Sequence, residues 1–201
     1  MKIEPENLNV ALKNYFREIE RGMDSARFTL GTDPVNLLSH RDGLATLLSW
    51  LVECRSRGNK VMFIGNGGSA AICSHMAIDF MNAGKMRAMD FNGGPLITCL
   101  ANDYGFENIF AKAIEVHGCK NDIIIAISSS GKSQDILRGV EMGKKLGCQV
   151  ITLSGFNENN PLLFMGDINV YVPTSKYGEA EVAHYFILHF LLDCLSKIKP
   201  A

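Results

Sequence analysis

The segment from Lys60 to Asn82 constrains the fold most, because its hydrophobic periodicity changes abruptly at a glycine turn. Val61 to Ile64 is a short apolar run with the length and composition of a buried strand. It leads into the turn Gly65-Asn-Gly-Gly68, after which Ser69 begins a helical pattern. Backbone N–H groups at the start of such a helix point toward an anion. The segment therefore predicts an anion-binding loop in an α/β protein.

The same alternation of strand and helix continues along the chain. Strands are predicted at Met86–Phe91, Asp122–Ile127, Gln149–Leu153 and Ile168–Val172, with Pro95–Leu100 as a strand or a buried turn. Helices are predicted at 69–82, 107–117, 133–146 and 178–197. Alternating strands and helices predict a doubly wound parallel sheet with helices on both faces.

The N-terminal part is predicted to be helical. Residues 5–34 place apolar side chains on one face, and Pro34 ends the pattern; these side chains belong to Leu8, Leu12, Tyr15, Phe16 and Ile19. A second helix is predicted over Asn36–Cys54, with its leucines on the buried side. These helices have no core of their own, so we expect them to pack on the sheet or on another subunit. The whole chain, 1–201, is expected to be one domain, with a helical segment at 1–34 and a ligand-binding core at 35–198.

Composition excludes several classes of function. The net charge of -1 favours neither nucleic acid nor an anionic membrane as a partner. No apolar run approaches the roughly 18 residues that would span a bilayer, and the polar N-terminus does not resemble a signal peptide. The six cysteines are scattered without a Cys-x-x-Cys pair, which is typical of reduced thiols in a cytoplasmic protein.

A second loop, Ser128-Ser-Ser-Gly-Lys-Ser133, also follows a buried strand and precedes a helix. A serine N-cap with a flexible turn is the ordinary structural interpretation. Four serines in six residues exceed what one cap requires. Hydroxyls and helix-start N–H groups together predict a phosphate site that needs no net positive charge.

Two familiar motifs fit this chain incompletely. Gly65-x-Gly67-x-x-Ala70, with Asp90 downstream, matches the dinucleotide fingerprint, but that fingerprint accounts for neither the serine loop nor the histidines. Gly131-Lys132-Ser133 imitates the end of a P-loop. The first glycine of a P-loop would fall at Ala126, so we reject this interpretation too.

Four polar residues on two predicted helices are candidates for the chemistry. His75 and Asp79 lie four residues apart and share a helix face. Glu181 and His189 lie eight apart, roughly 80° around the helix axis, in an otherwise apolar helix. Two histidines and two carboxylates can bind a divalent metal such as Zn²⁺. They can equally act as a general acid and base without a metal. His40, His117 and His184 are interpreted as structural.

With these residues in view, the chain resembles the SIS (sugar isomerase) family of phosphosugar-binding domains, most closely its phosphoheptose isomerase branch. The resemblance covers roughly residues 35–198 in order and spacing. It rests on Gly65-Asn-Gly-Gly-Ser69, His75-x-x-x-Asp79, Asn102-Asp-Tyr-Gly-Phe106, Ile127-Ser-Ser-Ser-Gly-Lys-Ser133, Val150-Ile-Thr-Leu-Ser-Gly155 and the helix with His189.

The resemblance implies an aldose–ketose isomerase that converts sedoheptulose 7-phosphate to D-glycero-D-manno-heptose 7-phosphate through an enediol, a step toward surface heptose. It implies Asp79 as the base and His189 as the acid. It implies Zn²⁺ or another divalent metal bound through His75, Asp79, Glu181 and His189, and a homotetramer. The substrate and its phosphate are expected to contact Asn66, Gly67, Gly68, Ser69, Asn102, Asp103, Ser128, Ser129, Ser130, Ser133 and Glu181.

The chain departs from the family pattern at the site. The family usually has Glu where this chain has Asp79, and Gln where it has Glu181. Asn92-Gly93 stands where the family has a Thr-Asp segment that contacts the sugar. The Gly-Arg segment that the family has after the base is also replaced in this chain, where the nearest cations are Lys85 and Arg87. These departures predict a divergent isomerase. Its alternatives are an isomerase of another ketose phosphate, a non-catalytic SIS protein of the DnaA initiator-associating type, and a dinucleotide enzyme.

Overall fold

The computed structural model describes residues 5–33 and 35–199. Seven α-helices lie in this part of the chain: α1 Pro5–Asp24, α2 His40–Ser56, α3 Gly68–Asn82, α4 Gly94–Tyr104, α5 Ile109–His117, α6 Gln134–Lys145 and α7 Tyr177–Lys197. Its strands are β1 Arg27–Leu30, β2 Leu37–Leu38, β3 Lys60–Gly65, β4 Arg87–Asp90, β5 Ile123–Ser128, β6 Gln149–Ser154 and β7 Ile168–Tyr171. Short 3-10 turns occupy Phe106–Asn108 and Pro161–Phe164.

The strands form one sheet in the order β2-β1-β7-β6-β5-β3-β4. The five strands β3 to β7 are parallel, whereas β1 pairs antiparallel with β7 and β2. This architecture confirms the predicted α/β class, and the strands predicted near β4, β5, β6 and β7 are all present. None of the described helices is both long enough and apolar enough to cross a membrane.

The sheet separates two hydrophobic layers. On one face, alternate residues of the central strands, such as Phe63 and Ile125, pack with buried side chains of α2, α3 and α7. On the other face, Met62 and Ile124 pack with α5 and α6. Each central strand is buried on both faces, which explains its continuous apolar sequence.

The direction of winding reverses between β3 and β5. From β5 the chain adds β6 and β7 on one side, and from β3 it adds β4 on the other, while β3 and β5 themselves are neighbours. In open parallel sheets, ligands bind outside the carboxyl ends of the strands at such a reversal. Both predicted anion loops follow these two strands, so the topology brings them together.

A buried asparagine fixes the junction between the parallel strands and the antiparallel β1. Asn169 in β7 donates to Gly31 O at 2.8 Å and to Thr29 Oγ1 at 3.3 Å, and it accepts from Thr152 Oγ1 at 2.7 Å. Since Asn169 is fully buried, moving β1 by one residue would leave this amide unpaired.

Three sequence predictions are wrong in detail. Helix α1 ends at Asp24, and the chain then forms β1 where the helix was expected to run to residue 34. Helix α2 begins at His40 rather than Asn36, because Ser39 caps it by accepting from Asp42 N at 3.1 Å. Pro95–Leu100 belongs to helix α4, whose first turn holds Pro95, a position where proline fits a helix. The expected break at Pro34 lies outside the described residues.

Candidate active site

The glycine loop and the serine loop meet at the carboxyl ends of β3 and β5. Gly65 and Ile127 are register partners in these strands, so the residues that follow them are neighbours. Gly67 takes φ 55° and ψ -123°, and Gly131 takes φ 63°, conformations that favour glycine. A Cβ on Gly131 would also collide with the buried side chain of Asn160. The tight turns are therefore specified by the sequence.

The two loops enclose a cavity of about 320 Å³. Its lining includes most of the residues expected to hold substrate: Asn66, Gly67, Gly68, Ser69, Ser128, Ser129, Ser130, Ser133 and Glu181, together with Ile127 and Tyr177. Helices α3 and α6 both begin at this cavity, so their unpaired N–H groups give it a positive potential. Within the described part of the chain, Glu181 is the one charged residue of this lining, and hydroxyls are its main donors.

The hydroxyls of the serine loop are in different states. Ser128 Oγ accepts from Gly131 N at 3.1 Å, which stabilises the turn. Ser129 Oγ is buried without a hydrogen-bond partner among the described residues. Ser133 occupies the N-cap position of α6, but its side chain makes no capping bond. A buried hydroxyl without a partner is costly unless a ligand satisfies it. These hydroxyls therefore favour a phosphate site over the interpretation of the loop as a plain N-cap.

Asn66 is hydrogen-bonded to the first turn of α6, just after the second loop. Its amide nitrogen donates to Asp135 Oδ2 at 2.8 Å and to Oδ1 at 3.1 Å. Asp135 lies in the first turn of α6 and is 3% exposed. Burial raises the pKa of Asp135, and the bond from Asn66 acts in the opposite direction. Asp135 is not among the residues that the sequence predicts for the site.

Further along α3, three side chains form a cluster with metal-binding capacity. His75 Nε2 lies 3.0 Å from Asp79 Oδ2, and the rings of His75 and His189 are 5.5 Å apart at their centroids. One nitrogen of each imidazole and one oxygen of the Asp79 carboxylate lie within 4.8 Å of one another. Two imidazole nitrogens and a carboxylate oxygen are a donor set typical of catalytic zinc, which leaves a position open.

Glu181 lies apart from this cluster. Its carboxylate packs against Gly68, where a Cβ would collide with it. Eight residues of helix span roughly 12 Å, so Glu181 and His189 can share a face of α7 and still lie two turns apart. The structure thus places three of the four predicted metal ligands together and the fourth at the phosphate cavity.

Helix α7 connects the cavity with the cluster through a row of side chains four residues apart. The cavity end of this row consists of Tyr177 and Glu181. Tyr185 follows, with its ring centroid 4.4 Å from that of His189 and 5.3 Å from that of His75. Burial raises the pKa of Tyr185, and the charge of Asp79 raises it further. Neither tyrosine is among the predicted site residues, although the spacing of four from Glu181 and His189 points to both.

The remaining polar candidates lie elsewhere. Asn102 and Asp103 are exposed at the end of α4, where the Asn102 amide donates to Asp103 Oδ1 at 2.9 Å. Lys85 and Arg87 line a different cavity near the amino ends of β3 and β4, together with Lys60. His184 is fully buried and donates from Nε2 to Ser154 O at 3.1 Å, as a structural histidine would.

Known proteins resemble this chain in sequence and in fold. A family model of the SIS domain matches residues 37–155. A phosphoheptose isomerase of Helicobacter pylori is 31% identical over 153 residues, which are 73% of this chain and 79% of that protein. A solved phosphoheptose isomerase from Francisella tularensis superposes with a TM-score of 0.80 at 26% identity, covering 98% of this chain and 100% of the other. The enzyme from Neisseria gonorrhoeae superposes with a TM-score of 0.81 at 22% identity, covering 96% and 98%.

The family match spans both anion loops and His75 and Asp79, and the solved isomerases share the fold over nearly the whole chain. With its loops at the reversal of winding and its polar cluster beside them, the chain belongs to the SIS domain family and, within it, to the phosphoheptose isomerases.

Proposed function

We propose that this protein interconverts sedoheptulose 7-phosphate and D-glycero-D-manno-heptose 7-phosphate. The proposal rests on the arrangement of two sites along the row of side chains on α7. At one end of this row lies the hydroxyl-rich cavity with the unpartnered Ser129 Oγ, and at the other end lies His189. A sugar phosphate is an extended ligand, so its phosphate and its reacting carbons need separate subsites. Relatives named phosphoheptose isomerase support this substrate.

Each end of the site has a distinct task in this reaction. The cavity binds the phosphate through Ser69, Ser129 and Ser133 and through the N–H groups at the starts of α3 and α6. Asp79 removes the proton from the carbon beside the carbonyl, which yields an enediol. His189 exchanges protons with the sugar oxygens, and the proton on Asp79 returns to the neighbouring carbon. Asp79 and His189 are close enough to act on adjacent atoms of one substrate.

A divalent metal, most simply Zn²⁺, fits the cluster. His75, Asp79 and His189 would hold it, and the donor atoms already converge to within 4.8 Å. A bound metal supplies a Lewis acid that polarises a carbonyl oxygen. Glu181 is proposed either to join the metal coordination or to accept a hydrogen bond from a sugar hydroxyl. The position that its side chain takes when the sugar is bound decides between the two.

The protein is proposed to act in the cytoplasm as a homotetramer. Exposed apolar side chains lie at four-residue spacing on α1, at Leu8, Leu12 and Phe16, and on α7, at Val182, Phe186 and Phe190. Exposed apolar patches of this kind mark interaction surfaces. Sedimentation equilibrium of the wild type and of Phe186→Glu tests the assembly; a monomeric wild type would contradict it.

Turnover tests the function. Purified protein is incubated with sedoheptulose 7-phosphate, and product is followed by NMR, with metal analysis of the same sample and a chelator control. Turnover that is lost on chelation and restored by Zn²⁺ would support both the reaction and the metal. Metal without turnover would point to another ketose phosphate. The absence of both metal and turnover would favour a non-catalytic SIS protein.

A further inference from the structure

The contact between Asn66 and Asp135 joins the glycine loop of the phosphate cavity to the helix that follows the serine loop. Asn66 belongs to the glycine loop after β3, and Asp135 to the first turn of α6 after the serine loop. Both carboxylate oxygens of Asp135 lie within 3.1 Å of the Asn66 amide nitrogen. Asp135 itself is not part of the cavity lining, whereas Asn66 is.

This contact determines which atom of Asn66 is available to a ligand. A carboxylate accepts hydrogen bonds and does not donate them, so the amide nitrogen of Asn66 must face Asp135. The amide oxygen makes no hydrogen bond among the described residues, and since Asn66 lines the cavity, this oxygen is the atom left for a ligand. Phosphate oxygens are acceptors as well, and two acceptors do not bond. A ligand group that binds this oxygen must therefore be a donor, such as a hydroxyl near the phosphate.

We propose that Asp135 is a positioning residue that acts through Asn66, so that the site selects phosphate esters with a hydroxyl on the carbons next to the phosphate. The inference rests on the proposed phosphate-binding role of this cavity and adds a criterion for its substrates. An unsubstituted alkyl phosphate satisfies the serine loop but leaves the Asn66 oxygen without a donor.

Two small ligands isolate this contact. Glycerol 3-phosphate and propyl phosphate have the same three-carbon chain and the same phosphate, and differ in their hydroxyls. Binding of each is measured by calorimetry to the wild type, to Asp135→Asn and to Glu141→Gln, which makes the same carboxylate-to-amide change at an exposed position of α6. Any effect of the lost charge on the phosphate is common to both ligands, so the ratio of the two affinities reports on the hydroxyl contact.

The wild type and Glu141→Gln should prefer glycerol 3-phosphate. Asp135→Asn should lower that preference roughly tenfold, the scale of one net hydrogen bond. An amide at 135 can donate as well as accept, so the Asn66 amide is free to rotate by 180°. In an Asn66→Ala background the preference should already be lost, and Asp135→Asn should lower it no further.

Several results would overturn the inference. The first is a wild type that binds the two ligands equally. The second is an Asp135→Asn variant that keeps the preference or loses affinity for both ligands alike. The third is an equal loss of preference from Asp135→Asn in the presence and in the absence of the Asn66 side chain. None of these measurements uses heptose turnover, so a failure of the proposed reaction would be recognised separately.

Discussion

The Nε2 atom of His75 and the Oδ2 atom of Asp79 lie 3.0 Å apart on consecutive turns of α3. Without a ligand, the proposed base is thus held by a neighbouring imidazole, one turn along the same helix. The pair also faces His189 of α7, so the acid, the base and a metal-binding histidine come from two packed helices.

Asp79→Asn should lower kcat at least a hundredfold, because the amide keeps the shape of the side chain but cannot accept the proton. KM should change far less, since the phosphate cavity lies elsewhere on α3. Steady-state kinetics with sedoheptulose 7-phosphate checks this, with Asp193→Asn at an exposed position of α7 as the matched control. An Asp79→Asn enzyme with near-normal kcat would remove Asp79 from the mechanism.

Ser129→Ala and Ser128→Ala should separate binding from stability. Ser129 Oγ has no partner in the described protein, so its removal should leave the free energy of unfolding unchanged or slightly higher while raising KM roughly tenfold. Ser128 Oγ accepts from Gly131 N, so its removal should destabilise the protein by about 1 kcal/mol. Denaturant unfolding and kinetics on both variants provide the measurement. Equal loss of stability in the two would contradict this assignment.

Gly131→Ala should disrupt the serine loop. The new Cβ would meet Asn160, which is itself buried and donates to Ser154 Oγ and Gly155 O, and φ of 63° adds strain. We expect a loss of more than 2 kcal/mol in the free energy of unfolding and of most phosphate affinity. Gly31→Ala is the control, because φ is 68° there but no atom lies within 4 Å of the added Cβ. It should cost about 1 kcal/mol, from backbone strain alone.

His184 should make stability depend on pH. Burial lowers its pKa from 6.5 to about 4, so the unfolded chain binds this proton at a higher pH than the folded protein does. The contribution of neutral His184 to the free energy of unfolding is therefore complete above about pH 6.5. It is lost as the pH falls toward 4, by roughly 3 kcal/mol in total. His184→Gln keeps a donor for Ser154 O but does not titrate, so its unfolding free energy should change less over this range. Parallel pH dependences in the two proteins would refute the assignment.

The sequence predicted the sheet and its loops well because both depend on local patterns. Buried parallel strands such as β5 are uninterrupted apolar runs, and the glycines at 67 and 131 occupy backbone conformations that few other residues adopt. The strand β1 was missed for the opposite reason. It is four residues long, follows a helix directly, and forms only because β7 offers an edge to pair with.

The site was predicted in its residue types more than in its geometry. The spacing of four between His75 and Asp79 places both on one helix face within reach of each other, and the structure has them in contact. Asp135 does not stand out in the sequence, because it acquires its role from a different element, the glycine loop. Tyr185 is indicated only by its spacing of four from Glu181 and His189, and its contact with His75 of α3 depends on the fold. Glu181 was grouped with His189 from its angle around the helix, while its distance along the axis places it beside Gly68.

The antiparallel pairing of β1 with β7 has a consequence for how the chain acquires its structure during synthesis. Thr29 in β1 contacts Asn169 in β7, a partner 140 residues later in the sequence. On a ribosome the edge of β1 that pairs with β7 must therefore wait for its partner until nearly the whole polypeptide has emerged, whereas β2, on the other edge, follows within ten residues and β3 and β5 have already paired. Completion of the sheet is thus a late, long-range event, and a nascent chain arrested before residue 168 would leave the β7-facing edge of its N-terminal strand unpaired.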